Sequence, residues 1–353
     1  MIKVLIVEDS PVAQEFLTYL LSSDPEIQVV GIAKNGAEAL KAVEQKKPDV
    51  ITMDIHMPVM DGYEATRRIM ATHPTPIVIV SGSTGASEVK STFRAVEAGA
   101  LAVVLRPPGL NHEEFESASR ELLQTVKLMS EVRVVKRFLG AAKKQYPVPQ
   151  PIPRAPKVET EIQVAAIGAS TGGPPALLQI LSQLPKDLSF PVLIVQHIAP
   201  GFTKGFVDWL NDASHFPVRI ALHGARLMPG QAYVAPDGFH MGVSEGPRIL
   251  LSDHAPENGL RPSVAYLFRL VTQVYGPHAV GILLTGMGKD GAEEMKTMRE
   301  TGAITIAQDE KSSVVHGMPG EAIKMGAVSH ILMPDGIAAM LTDLNKSYNG
   351  GHP

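Results

Sequence analysis

Cysteine is absent from the 353 residues, which excludes a disulfide framework and any thiolate-ligated metal. No apolar run approaches the ~20 residues that a membrane-spanning helix requires. The opening MIKVLIVEDS is too short an apolar run for a secretory leader. These absences lead to the expectation of a cytoplasmic protein with no direct membrane insertion. Basic charge is not in excess either, with Lys+Arg 32 against Asp+Glu 36 and a formal net charge of -4. Without a basic field or a Lys/Arg block interleaved with aromatics, nucleic acid is not an expected partner. The histidines, His223, His240, His254 and His316 among them, lack the clustered spacing of zinc ligands.

What remains is an ordinary globular balance, 44% hydrophobic and 19% charged, in a chain longer than one core usually serves. Two domains are expected. Residues 146–156, YPVPQPIPRAP, carry a proline at every second or third position, which favours extended backbone and reads as a linker. Before it, β-branched runs at 2–7, 27–32, 50–53, 77–80 and 101–105 alternate with helical patterns, the signature of a five-stranded doubly wound parallel sheet. Ser10 can cap the first helix, Pro11 suits its first turn, and Val12, Phe16 and Leu20 recur at i, i+4, i+8, predicting the face that meets the sheet. A longer helical pattern over 113–138 completes this domain. After the linker the alternation resumes at 164–169, 191–196, 280–284 and 303–307, a second, Rossmann-like α/β sheet. Residues 216–253 interrupt it with short strands and turns that read as an antiparallel excursion. The expected division is 1–125, then a helix extension and linker over 126–160, then 161–347.

Ligands of open α/β sheets bind at the carboxyl ends of strands. In the first domain strand one ends in Glu8-Asp9 and strand three in Asp54. Three carboxylates gathered at one edge repel unless a hard cation is bound, and magnesium suits them. Strand four ends in Ser81, whose hydroxyl can bond a phosphoryl oxygen, and strand five in Arg106, a cation beside the same pocket. Such a pocket is suited to forming an acyl phosphate; singly, each acid reads equally well as a helix cap. With VEDSP, MDIHMPVMDG and VSGST in this spacing, residues 1 to about 125 resemble the response-regulator receivers. That resemblance implies that Asp54 is the phosphorylated aspartate, that Glu8, Asp9, Asp54 and the backbone carbonyl of His56 hold Mg2+, and that Ser81 and the strand-five cation carry the switch. Two positions depart from the pattern: Arg106 stands where the family has lysine, and Val103 where it has an aromatic. A planar guanidinium and a point-charge ammonium are not equivalent at a phosphoryl oxygen.

In the second domain VAAIGASTGGPPALLQIL runs from an apolar strand through Ser170 into a helix whose Leu177, Leu181 and Leu184 mark one face. Gly168-Ala169-Ser170-Thr171-Gly172 matches the nucleophile-elbow pattern, but a phosphate- or dinucleotide-binding turn uses similar glycines. A dinucleotide fold should place an acid at the end of the next strand, whereas PVLIVQH ends in Gln196-His197. A serine hydroxyl needs a base, and the base an orienting carboxylate; His197 and Asp290, in TGMGKDG, supply them. The Thr171 and Met287 amides are candidates for an oxyanion hole. Read singly, Ser170 and Asp290 are also helix caps and His197 a buried histidine.

IGASTGGPPAL, QHIAPGFT, LMPGQAYVAPDGFHM, RPSVAYLF, LLTGMGKDGAEEM and VVHGMPGEAIKMGAV together resemble the catalytic domain of the CheB-type protein-glutamate methylesterases, here in that family's own domain order. The resemblance implies hydrolysis of glutamyl γ-methyl esters, with deamidation of glutamines, on methyl-accepting chemoreceptors. It further implies a histidine kinase as phosphodonor, catalysis by Ser170, His197 and Asp290, and no cofactor in the ester chemistry. A catalytically silent binding module and a nucleotide-dependent oxidoreductase are the competing readings.

Overall fold

The computed structural model describes residues 1–82, 85–132, 134 and 161–349, and the chain divides into two compact units at Lys144/Gln145. The linker at 146–156 and the part of the 113–138 helical pattern beyond residue 134 lie outside the described residues.

The first unit alternates β1 (Ile2–Val7), α1 (Pro11–Ser22), β2 (Ile27–Ala33), α2 (Gly36–Lys46), β3 (Val50–Met53), α3 (Gly62–Thr72), β4 (Ile77–Ser81), α4 (Ala86–Ala98), β5 (Ala102–Leu105) and α5 (Phe115–Ser130). Its sheet order is β2-β1-β3-β4-β5, all neighbours parallel. Parallel strands covered on both faces must be apolar throughout, which is why VITM and IVIVS show no alternation. The strand order reverses between β1 and β3, so the crevice at their carboxyl ends collects the acidic residues. Ser10 caps α1 by accepting the Ala13 amide, and Asn35 and Asp61 cap α2 and α3 in the same way. The α1 stripe differs from the predicted one. Val12 is 78% exposed and the buried residues are Ala13, Leu17, Leu20 and Leu21. Of the i, i+4, i+8 series Leu20 is buried, but its first two members stand one residue before the buried Ala13 and Leu17, because Val12 and Phe16 are bulkier than Ala13 without being buried. Phe16 sits at the margin, against Phe115 of α5.

The second unit contains β6 (Val164–Ala169), α6 (Gly173–Leu181), β7 (Val192–Gln196), α7 (Thr203–Ser214), β8 (Val218–Ile220), β9 (Ala232–Val234), β10 (His240–Ser244), β11 (Arg248–Ser252), α8 (Val264–Tyr275), β12 (Ala279–Leu283), α9 (Ala292–Glu300), β13 (Ile304–Gln308), α10 (Met318–Lys324), β14 (His330–Leu332) and α11 (Pro334–Asn349). Seven strands form a parallel sheet in the order β14-β13-β12-β6-β7-β9-β8. The antiparallel excursion is narrower than expected. β8 and β9 join the main sheet in parallel, and only β10 and β11 form an antiparallel hairpin. Three-residue strands carry too little pattern to reveal direction. Here the segment 221–231 carries the chain back to the amino end of the sheet, as a parallel pair requires. β6 is the topological switch: the chain leaves it toward β7 on one side and reaches β12 on the other, opening a crevice at their carboxyl ends. Helix α8 packs its buried Val264, Leu267, Phe268 and Val271 into the core beside Val164, Ala166, Leu283 and Met295, which brings its amino terminus to that crevice.

Candidate functional site

Three neighbouring strands, β12, β6 and β7, deliver Asp290, Ser170 and His197 to one edge of the second sheet. Ser170 follows β6 directly. Its amide donates to the Thr285 carbonyl at 3.1 Å, and its carbonyl accepts from Gly173 at 2.7 Å, closing a tight turn. Gly172 sits in that turn at φ +78°, where a Cβ would fall 2.6 Å from Val314 Cβ. Both the backbone and the space therefore demand glycine. Pro174 and Pro175 follow in the first turn of α6, where missing amides cost no helical bond.

His197 begins the loop after β7, its amide donating to the Ala169 carbonyl at 2.8 Å. Its Nε2 lies 2.9 Å from Asp290 Oδ2, with the two side chains 12% and 3% exposed. Asp290 also accepts from Ser263 Oγ at 3.0 Å, Val264 N at 2.7 Å and Ala265 N at 3.1 Å. The last three donors are the cap and first turn of α8, a ready anion site. Burial pushes the Asp290 carboxyl up, but the His197 bond and charge and the two amides outweigh it and hold its pKa below the usual value. An ionised Asp290 only accepts, so the ring nitrogen beside it, Nε2, is the donor of this bond. The candidate oxyanion donors are available: among the described residues neither Thr171 N nor Met287 N bonds to a protein acceptor, whereas Ser170 N is already spent.

Sequence reading missed three residues that hold this constellation. Ser263 shows only as a hydroxyl before the apolar run VAYLF, a cap signal that says nothing of Asp290. Buried Thr285 donates from Oγ1 to the Thr171 carbonyl at 2.9 Å and accepts from Val315 N at 2.9 Å. Gln196 donates to the carbonyls of Ser170 and His197 at 2.9 and 2.8 Å. With that amide buried and committed to backbone, the strand end where a dinucleotide fold places its ribose-binding acid offers no such group.

In the first unit one carboxylate oxygen each from Glu8, Asp9 and Asp54 lie within 4.8 Å of one another. Arg106 Nη1 stands 3.3 Å from Glu8 Oε2, and its amide bonds the Ser81 carbonyl at 2.8 Å. Ser81 ends β4, buried, and Val103 lies half-buried in β5. His56 lies in the loop between β3 and α3, where the Ile55 amide donates to Asp54 Oδ1 at 2.7 Å. Burial raises the Asp54 carboxyl above the usual range, with Asp9 adding to it against the Ile55 and His56 amides and Arg106. Burial also raises Glu8, with the Asp54 charge adding to it. An acid whose folded pKa is raised opposes folding once ionised, so stability falls as pH rises through the window from the ordinary to the raised value. A divalent cation removes that opposition, and this acidic oxygen set suits magnesium. Magnesium at pH 7 is therefore expected to raise the melting temperature of the first unit within the full chain. The rise should shrink in Asp54→Asn, while calorimetric shifts equal in both proteins would place the ion elsewhere.

The sequence-family model for CheB methylesterase matches residues 165–341, and that for the response regulator receiver domain matches residues 4–114. A Syntrophus aciditrophicus protein named protein-glutamate methylesterase/protein-glutamine glutaminase 1 is 54% identical over 348 residues, 98% of this chain and 99% of its own. Its namesake numbered 4 from Geobacter metallireducens is 56% identical over 346 residues, with the same two coverages, 98% and 99%. The crystal structure of the Thermotoga maritima CheB methylesterase catalytic domain superposes with a TM-score of 0.51 at 34% identity, over 52% of this chain and 98% of that one.

Proposed function

The chain belongs to the CheB-type protein-glutamate methylesterase/protein-glutamine glutaminase family, and from that premise we propose that Ser170, His197 and Asp290 perform the hydrolysis. The activity is removal of glutamyl γ-methyl esters and deamidation of glutamines, under the control of a receiver domain, in chemotactic adaptation. The observation that carries the residue assignment is the His197–Asp290 bond at 2.9 Å, one strand from a serine held in a glycine-bounded turn.

Ser170 Oγ attacks the ester carbonyl carbon as His197 Nδ1 takes its proton, and the imidazolium is stabilised through Nε2 by ionised Asp290. The Thr171 and Met287 amides receive the developing oxyanion. The tetrahedral adduct breaks its bond to methoxide, which leaves as methanol with the proton from His197. Water, deprotonated at the same nitrogen, then attacks the glutamyl–Ser170 ester, whose C–O bond breaks as His197 returns the proton to Ser170 Oγ, leaving the free glutamate and the starting enzyme. With a glutamine side chain the leaving group is ammonia instead. Loss of methanol release from methylated receptor membranes in Ser170→Ala tests the assignment.

The substrates are methyl-accepting chemoreceptors, reached from the cytoplasm; no described helix is long and apolar enough to cross a membrane. Residues 1–125 form the receiver and 161–347 the esterase. Asp54 is the phospho-acceptor, loaded by a histidine kinase. Glu8, Asp9, Asp54 and the His56 carbonyl would hold Mg2+, which when bound neutralises charge for phosphoryl transfer. Ser81 and Arg106 contact the phosphoryl oxygens, Arg106 using the N–H groups that its Nη1 contact with Glu8 leaves over. A small acyl phosphate with magnesium is expected to raise the methanol-release rate of the wild type and leave that of Asp54→Ala unchanged. Equal rates for treated wild type, untreated wild type and variant would contradict phospho-activation.

A further inference from the structure

We infer that Gln196 is a positioning residue that sets the distance and angle between nucleophile and base. The inference rests on the assignment of Ser170 and His197 above. Gln196 is the last residue of β7 and is 4% exposed. Its Nε2 uses both hydrogens on backbone, one on the Ser170 carbonyl at 2.9 Å and one on the His197 carbonyl at 2.8 Å. The two acceptors also settle which way the amide faces, since the reversed amide would set its oxygen against two carbonyls. The opposite atom, Oε1, is buried without a hydrogen-bond partner. It lies where a Cβ on Gly173 would come within 2.2 Å of it. The first helical position of α6 is thus left open for this side chain.

What sets this glutamine apart is where its donors go: both bonds of Nε2 are spent on the backbone of the two residues assigned to the chemistry. Its amide ties the residue that attacks to the residue that takes the proton. Ser170 O keeps a second donor in Gly173 N; among the described residues, His197 O is held by Gln196 alone. Without the tie the loop after β7 loses the bond that holds the His197 carbonyl to the same amide as that of Ser170, and His197 is free to turn about its Asp290 bond. Misplacement of a reacting pair by a fraction of an ångström is sufficient to slow the chemical step.

The test is steady-state methanol release by the full chain from methylated receptor membranes for Gln196→Met and Gln196→Glu, with thermal melting of each. Gln196→Met keeps length without donors; Gln196→Glu keeps shape but presents oxygen to the two carbonyls. Both are expected to lower kcat by about tenfold or more, the loss of one hydrogen bond's worth of alignment. KM should stay within about twofold, since no substrate contact is removed. A packing role would lower the melting temperature with kcat intact per folded molecule. Unchanged kcat, or failure of both variants to fold, overturns the inference. Ser170→Ala assayed alongside separates the two claims: an active Ser170→Ala refutes the triad itself, whereas an inactive one beside fully active Gln196 variants refutes only the tie.

Discussion

Ser170→Ala is expected to lower methanol release by about 10⁴-fold or more while leaving the melting temperature within a degree or two of the wild type. The first half follows from the chemistry: without Oγ no acyl-enzyme forms, and direct attack by water must rely on His197 and the oxyanion donors, which retain only a small part of the acceleration. The second half follows from the local structure. The bonds that hold the turn, Ser170 N to Thr285 O and Gly173 N to Ser170 O, are backbone bonds that alanine keeps. The hydroxyl itself bonds no described residue, so its removal orphans nothing. Methanol assay and calorimetry on one preparation check both halves, and an active or unfolded variant would contradict them.

Asp290→Asn is expected to be nearly as damaging to rate, by about 10³- to 10⁴-fold, and to damage stability as well. The two carboxylate oxygens accept four donors: His197 Nε2 and Val264 N on Oδ2, Ser263 Oγ and Ala265 N on Oδ1. Asparagine brings one oxygen and one NH2, so in either orientation a fixed backbone amide of α8 meets a donor. Leaving one such buried amide unpaired costs about 1–3 kcal/mol. With the NH2 toward His197, Nε2 must become the acceptor, and the proton moves to Nδ1, the nitrogen that Ser170 needs free. The pH dependence of stability changes with it. The folded-state pKa of Asp290 is lowered, so its contribution is complete above the ordinary carboxylate pKa and is lost as pH falls through the lower folded value. Asp290→Asn should therefore lose stability at neutral pH and approach the wild type in strong acid, as denaturant titrations at several pH values would show.

How far the site could be read beforehand follows from where each residue stands. Ser170, His197, Glu8, Asp9 and Asp54 lie at or just beyond strand ends and Asp290 in the loop that leaves β12 for α9, and the strands announce themselves because a covered parallel sheet needs uninterrupted apolar runs. The supporting residues carry no such mark. Ser263 meets Asp290 across 27 positions and Thr285 meets Thr171 across 114, so their roles depend on packing that local sequence does not encode. That Asp290 approaches His197 at Nε2 rather than at Nδ1 is equally invisible in the chain. In the fold, the direction of β8 and β9 is not legible because three-residue strands have no periodicity, and the α1 stripe is only partly so because bulk does not decide burial.

The most direct test of the account is to treat the full chain with an activated aryl phosphonate, locate the adduct by mass spectrometry and measure the methanol release that remains. A single adduct on Ser170, activity lost in proportion to labelling, and labelling slowed by about a hundredfold or more in Asp290→Asn are predicted. Modification of another residue with activity lost in step, or undiminished methanol release from chain fully labelled at Ser170, would contradict it.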